Sequence, residues 1–171
     1  MKNTVLKYGM YGFIAAFVVF LSMLYFGQGL SFSIQEVLGF LSIFTALSFV
    51  YFGIRHHKNN ELDGTIDFKT AFIVGALISI CTAIGFGIVD AIYITQINPD
   101  FTEQYLTYQN SIIDAKTDLT PQEIKLEKLA LLKQSEAYGS PGIVFLVMSM
   151  TVLVIGVIVS LLSALILHKK E

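Results

Sequence analysis

Tryptophan is absent from this 171-residue chain, cysteine occurs once and proline three times. A single cysteine, Cys81, excludes an intrachain disulfide, and its place inside an apolar run suits a small packing residue. Scarce proline leaves long helices uninterrupted. Charge is scarce too. Acidic and basic residues make up 14% of the chain, against roughly 25% in soluble domains, which is too little to cover a soluble surface of this size. A net charge of −2 provides no basic face for nucleic acid. No glycine-rich phosphate loop, nucleophile elbow or H-E-x-x-H stretch is present. The reading is therefore no cofactor, no metal and no catalytic site, with an enzyme the least favoured class.

What the chain does have is apolar length, with 54% hydrophobic residues. No charged side chain falls between Lys7 and Glu36, between Glu36 and Arg55, between Lys69 and Asp90, or between Glu136 and Lys169. A membrane-spanning helix needs about 20 mostly apolar residues, and four segments qualify: about 8–26, 37–54, 70–97 and 142–167. The first is longer than the apolar core of a signal peptide, and no small-x-small cleavage site follows near 27–31, so it reads as a retained helix. The fold class expected is all-α, a single polytopic membrane domain over residues 1–171.

Seven of the eleven lysines and arginines sit in the amino terminus (Lys2, Lys7), the second loop (Arg55, Lys58, Lys69) and the carboxyl terminus (Lys169, Lys170), and none in the first loop, 27–35. The excess of positive charge marks the cytoplasmic side, which places both termini there. Interface aromatics agree, with Tyr8, Tyr51 and Phe68 at one side and Tyr25, Tyr93 and Tyr138 at the other. Arg55-His56-His57-Lys58 reads as a basic collar for anionic headgroups, not as a metal site.

The segment 98–141 is too long for a plain connector and reads as an extramembrane helical hairpin. Asn98-Pro99-Asp100 starts the first helix, with Asn98 as N-cap and Pro99 at the first helical position. Phe101, Tyr105, Tyr108 and Ile112 then share one face. Thr120-Pro121-Gln122-Glu123 is a capping box opening the second helix, which Gly139-Ser140-Pro141 ends. Acid–lysine pairs along that helix, Glu123 and Glu127 with Lys125 and Lys128, add local support. The apolar faces of the hairpin either pack on each other or lie on the bilayer. A third span running on into the hairpin should bend at Pro99, where Thr95 loses its donor.

Two features of the third span stand out. Ala71, Gly75, Ser79, Ala83, Gly87 and Ala91 recur every four residues, with a matching row at Gly156, Ser160 and Ala164 in the last span and Gly12 and Ala16 in the first. Small residues let helices approach closely where lipid gives no hydrophobic drive. The row serves either bundle packing or a homo-oligomer or partner helix. Asp90 is the only charge inside a span, and an intramembrane acid is costly enough to suggest a site. Its expected neighbours are Tyr93, Gln28, Glu36 and Ser149.

The layout resembles the family catalogued as domain of unknown function 4199. The resemblance rests on the glycine-rich third span running into Ile97-Asn98-Pro99-Asp100-Phe101, the charged hairpin, and a serine- and glycine-rich last span closed by His168-Lys169-Lys170. It covers essentially the whole chain. It implies a bacterial inner-membrane protein with the hairpin in the periplasm, and it implies no activity. The function expected is a non-enzymatic accessory or structural membrane protein, with a possible protein partner at the 98–141 hairpin. A small transporter or ion-handling subunit using Asp90 is the alternative.

Overall fold

The computed structural model describes residues 1–137 and 140–169. Expectations that rest on Tyr138, Gly139 and Lys170 lie outside the described residues. Four helices are long and apolar enough to cross a membrane: α1 (Lys2–Phe26), α2 (Phe32–Glu61), α3 (Phe68–Ile97) and, last in the chain, α6 (Pro141–Leu167). Between α3 and α6 stand the hairpin helices α4 (Phe101–Asp114) and α5 (Pro121–Ala137). The protein is thus an all-α polytopic chain, and the four apolar runs each became one helix.

The helices overrun the apolar runs. The 30 residues of α2 reach about 45 Å at 1.5 Å per residue, half as long again as a hydrocarbon core of about 30 Å. Once a helix is started, each further residue adds a backbone hydrogen bond at little cost, so the polar ends stay helical outside the apolar band. The first loop shrinks to a tight turn in which Gly29 adopts φ +92, a left-handed conformation that disfavours a side chain.

Helix α3 is the centre of the bundle. In its most apolar stretch 56% of residues are buried, against 17% in α6. The small-residue row of α3 faces α6, which runs antiparallel to it. A Cβ added at Gly75 would lie 2.9 Å from Ser160 Cβ, and one at Gly156 2.6 Å from Ser79 Cβ. At Gly87 the neighbours are Ser149 and Phe145. The row is thus filled by the chain's own last helix. The adjoining face of α3 takes α1: Gly9 meets Cys81, Gly12 meets Thr82, and Ala16 and Phe13 meet Gly85. Apolar contact alone does not select partners inside lipid, whereas backbone approach does.

Two π-helical turns interrupt the spans, at Ala16–Phe20 in α1 and at Tyr93–Ile97 closing α3. A step of four residues overshoots a 3.6-residue turn by about 40°. A wider turn absorbs the overshoot, and Ala16, Phe20 and Leu24 all stay buried. At the end of α3 the Asn98 N–H donates to the Tyr93 carbonyl at 2.8 Å. The bend expected at Pro99 is therefore taken up by a π turn and a break at Asn98.

At the end of the bundle where Met1 and Lys169 lie, the basic stretch in the last turns of α2 points partly inward. His57 is buried and its Nδ1 lies 3.0 Å from Glu61 Oε2, and Glu61 also accepts from the Thr4 hydroxyl. Lys58 donates to the Leu167 carbonyl at 2.9 Å, filling an acceptor that α6 leaves open at its end. Ile66 and Lys169 exchange backbone hydrogen bonds of 3.3 and 3.0 Å. Only part of the expected collar thus faces outward, because capping the end of α6 and pairing Glu61 use the rest.

The hairpin starts later than expected. Helix α4 has Asp100, not Asn98, as N-cap, and the Asn98 side-chain N–H2 instead donates to the Tyr93 hydroxyl at 3.3 Å and to Gln104 Oε1 at 3.5 Å. The capping box of α5 forms: Glu123 accepts from the Thr120 N–H at 2.7 Å and the Glu123 N–H donates back to Thr120 Oγ1 at 3.3 Å. Among the described residues of the hairpin, the ion pairs tie segments together and do not run along one helix. Lys116 meets Glu127 at 2.7 Å and Lys128 meets Asp114 at 2.6 Å, which clasps the turn of the hairpin.

Candidate functional site

The hairpin folds back over the end of α3. Phe32 at the start of α2 anchors it, with ring centroids 5.9 Å from Phe101, 5.7 Å from Tyr105 and 4.9 Å from Tyr108. Ser33 Oγ lies 2.9 Å from the Tyr108 hydroxyl. Tyr93 joins this cluster, edge-on to Phe101 at 5.5 Å. It is 1% exposed and so does not serve as an interface aromatic, because the hairpin covers it.

Between the hairpin and the bundle lies a cavity of about 480 Å³. Helix periodicity delivers its walls. Asp90 and Ile94 are one turn apart on α3. Thr102, Tyr105, Leu106 and Gln109 follow the i, i+3, i+4, i+7 rule on α4, and Leu131, Gln134 and Ser135 the i, i+3, i+4 rule on α5. Val144 closes the side toward α6. Asp90 is half-buried, and its carboxylate has no hydrogen-bond partner among the described residues. An acid so placed supplies countercharge and hydrogen-bond acceptance, with the amides and hydroxyls of the hairpin opposite.

The residues expected around Asp90 separate. Tyr93 and Gln28 line a different, smaller pocket of about 230 Å³ together with Gln35, Asn98 and Gln104. Phe101 is the wall shared by the two. Glu36 is exposed and lines neither. Ser149 is aimed at the α3–α6 seam, where its buried Oγ meets Gly87 and finds no partner. Gly75, Ser79, Gly156 and Ser160 build that seam deeper in the bundle. The Ser79 hydroxyl donates to the Gly75 carbonyl at 2.9 Å and lies 3.2 Å from both the Gly156 carbonyl and Ser160 Oγ. Ala83 is buried in the same row.

Of the residues lining the cavity only Asp90 was singled out as a site residue in the sequence, and Thr102, Tyr105, Gln109, Gln134 and Ser135 are the polar ones that sequence reasoning missed. A signal was available in α4, where Thr102 and Gln109 share the helical period of Tyr105 and Leu106 and make a mixed face. Nothing local tells that this face closes over Asp90. Among the described residues no three His, Cys, Asp or Glu side chains converge as metal ligands.

The sequence model of the family described as "Protein of unknown function (DUF4199)" matches residues 7–169. No curated protein and no solved structure matches.

Proposed function

The chain belongs to the DUF4199 family of proteins of unknown function, and from that premise we propose a non-enzymatic accessory protein of the bacterial inner membrane that offers a ligand-binding cavity beneath its hairpin. One observation carries the reading: Asp90, the only charged residue within the four apolar runs of the sequence, lines an open 480 Å³ cavity without a partner among the described residues. An intramembrane acid costs up to about 2.5–3.5 kcal/mol, less near an interface, and packing alone gives no return for that cost here. The orientation follows the lysine and arginine bias. Lys2, Lys7, Arg55, Lys58, Lys69 and Lys169 gather at the end opposite the hairpin, which supports cytoplasmic termini and a periplasmic cavity. The hairpin then presents the cavity rim and its charged outer face to a protein partner.

Transport through Asp90 is the second reading, favoured by the same cavity. Against it, the α3–α6 seam beneath is closed by the pairs Gly87–Ser149, Ser79–Gly156 and Gly75–Ser160. Cysteine labelling tests the proposal. In a Cys81→Ala background, Gln134→Cys should react with a membrane-impermeant maleimide in spheroplasts and not in inverted vesicles. Reaction only in inverted vesicles would reverse the orientation, and protection in both would remove the open cavity.

A further inference from the structure

We propose that the cavity beneath the hairpin binds the ammonium group of an organic cation, with Asp90 as countercharge and the Phe101 and Tyr105 rings as an aromatic wall. The inference rests on the cavity reading above and names its ligand class.

The chemistry of the walls selects that class by exclusion. Among the described residues that line the cavity no side chain is basic, so Asp90 repels anions and has no internal cation to neutralise it. A bare metal ion needs several converging oxygens, six to eight for calcium, and Asp90 is the lone carboxylate among those lining residues. A neutral apolar molecule gains nothing from a carboxylate and leaves it unpaired, at a cost. An ammonium on an apolar body satisfies each wall at once. Its charge meets Asp90 in a charge-assisted contact. Its methyl or methylene groups meet Phe101 and Tyr105, which both line the cavity with rings 6.2 Å apart and 13° from parallel, and aromatic rings attract cations through the negative potential of their faces. Its apolar remainder fits Ile94, Leu106, Leu131 and Val144.

An ammonium at this depth has two sources, an ethanolamine lipid headgroup or a free organic cation, and both share the chemistry. The experiment uses the full chain in nanodiscs of phosphatidylglycerol, a lipid without ammonium, titrated with benzyltrimethylammonium by calorimetry. Saturable binding is expected for the wild type, weakened about tenfold or more in Asp90→Asn, as loss of a charged hydrogen-bond or ion-pair partner implies. Binding should be retained in Asp90→Glu and weakened in Tyr105→Leu. The uncharged isostere neopentylbenzene should bind more weakly than the cation. Equal affinity of wild type and a folded Asp90→Asn overturns the proposal, as does absence of saturable binding. Should Asp90→Asn not fold, equal affinity of the wild type for cation and isostere overturns it alone. Doping with phosphatidylethanolamine separates the sources: competition supports the headgroup, and an unchanged affinity supports the free cation. Should Gln134→Cys label from outside while no ammonium binds, the ligand class falls and the open cavity stands.

Discussion

Replacing Gly156 with alanine isolates what holds α3 against α6. The added Cβ would lie 2.6 Å from Ser79 Cβ, 2.8 Å from Ser79 Oγ and 3.3 Å from Leu47 Cδ2. Carbon–carbon contacts settle near 3.5–4.0 Å, so the two helices must part by roughly 1 Å at their crossing. Overpacking of that kind costs about 1–3 kcal/mol. Parting the helices also lengthens the Ser79 contacts with the Gly156 carbonyl and Ser160, each 3.2 Å, at about 0.6–1.7 kcal/mol for an interhelical hydrogen bond in a membrane. Alanine recovers about 1 kcal/mol through its helix propensity. The net expectation is destabilisation of about 1–3 kcal/mol, which raises the unfolding constant about 5- to 140-fold. Gly39→Ala is the control, because its Cβ would meet only Met23 Cε at 3.5 Å, an ordinary contact, and it carries the same propensity gain. Steric trapping in bicelles reads both unfolding constants directly. If the two variants unfold within about 0.5 kcal/mol of each other, a difference at the level of ordinary additivity error, close backbone approach is not what joins these helices.

Thr120→Ala removes half of the α5 capping box and should cost about 0.5–2 kcal/mol, seen as faster amide exchange in the first turn of α5 with the spans unaffected. Phe32→Ala takes away the ring that contacts Phe101, Tyr105 and Tyr108. At about 0.5–1.5 kcal/mol per aromatic pair it should loosen the hairpin, measured as faster proteolysis between α4 and α5. Acid should act on specific carboxylates. Hydrogen bonds from the Thr120 backbone and then its hydroxyl hold Glu123 below its ordinary 4.5, and the Thr70 hydroxyl and then its N–H hold Asp67 below 3.8. A depressed folded-state value means the contribution is complete above the ordinary value and is lost as pH falls through the lower folded one. Amide exchange at the starts of α5 and α3 should therefore accelerate below about pH 4 and stay flat from about pH 6 to 8; acceleration on raising the pH, after correction for intrinsic exchange, would contradict the assignment.

The spans were legible because a bilayer imposes an uninterrupted apolar length, and Tyr8–Phe26 or Gly142–Leu167 can satisfy it in one way. The capping box at Thr120 was legible because its two bonds are local. Helix rotation was harder to read. Lipid is as apolar as the bundle interior, so Phe44 and Leu47 look alike in sequence while one is 54% exposed and the other fully buried. The small residues of α3 broke that degeneracy, since only a close neighbour explains glycine at 75 and 87. Asn98 misled because asparagine is a good cap anywhere, and its choice of Tyr93 and Gln104 depends on the hairpin already being folded. The separation of Asp90 from Tyr93 had the same origin. Depth along α3 put them together, and the π turn and the hairpin put them in different pockets.

The seam between α3 and α6 joins residues far apart in the chain: Ser79 and the Gly156 carbonyl are separated by 77 residues. Synthesis at about 5–20 residues per second leaves roughly 4–15 seconds between them. During that interval three helices sit in the membrane with the glycine row of α3 open to lipid or to any passing helix with small residues of its own. A ribosome stalled within the hairpin would release a three-span fragment whose exposed face is complementary to α6 of a finished neighbour. Quality control of this protein should therefore focus on fragments ending before Pro141, and a co-expressed α6 peptide should rescue them from degradation.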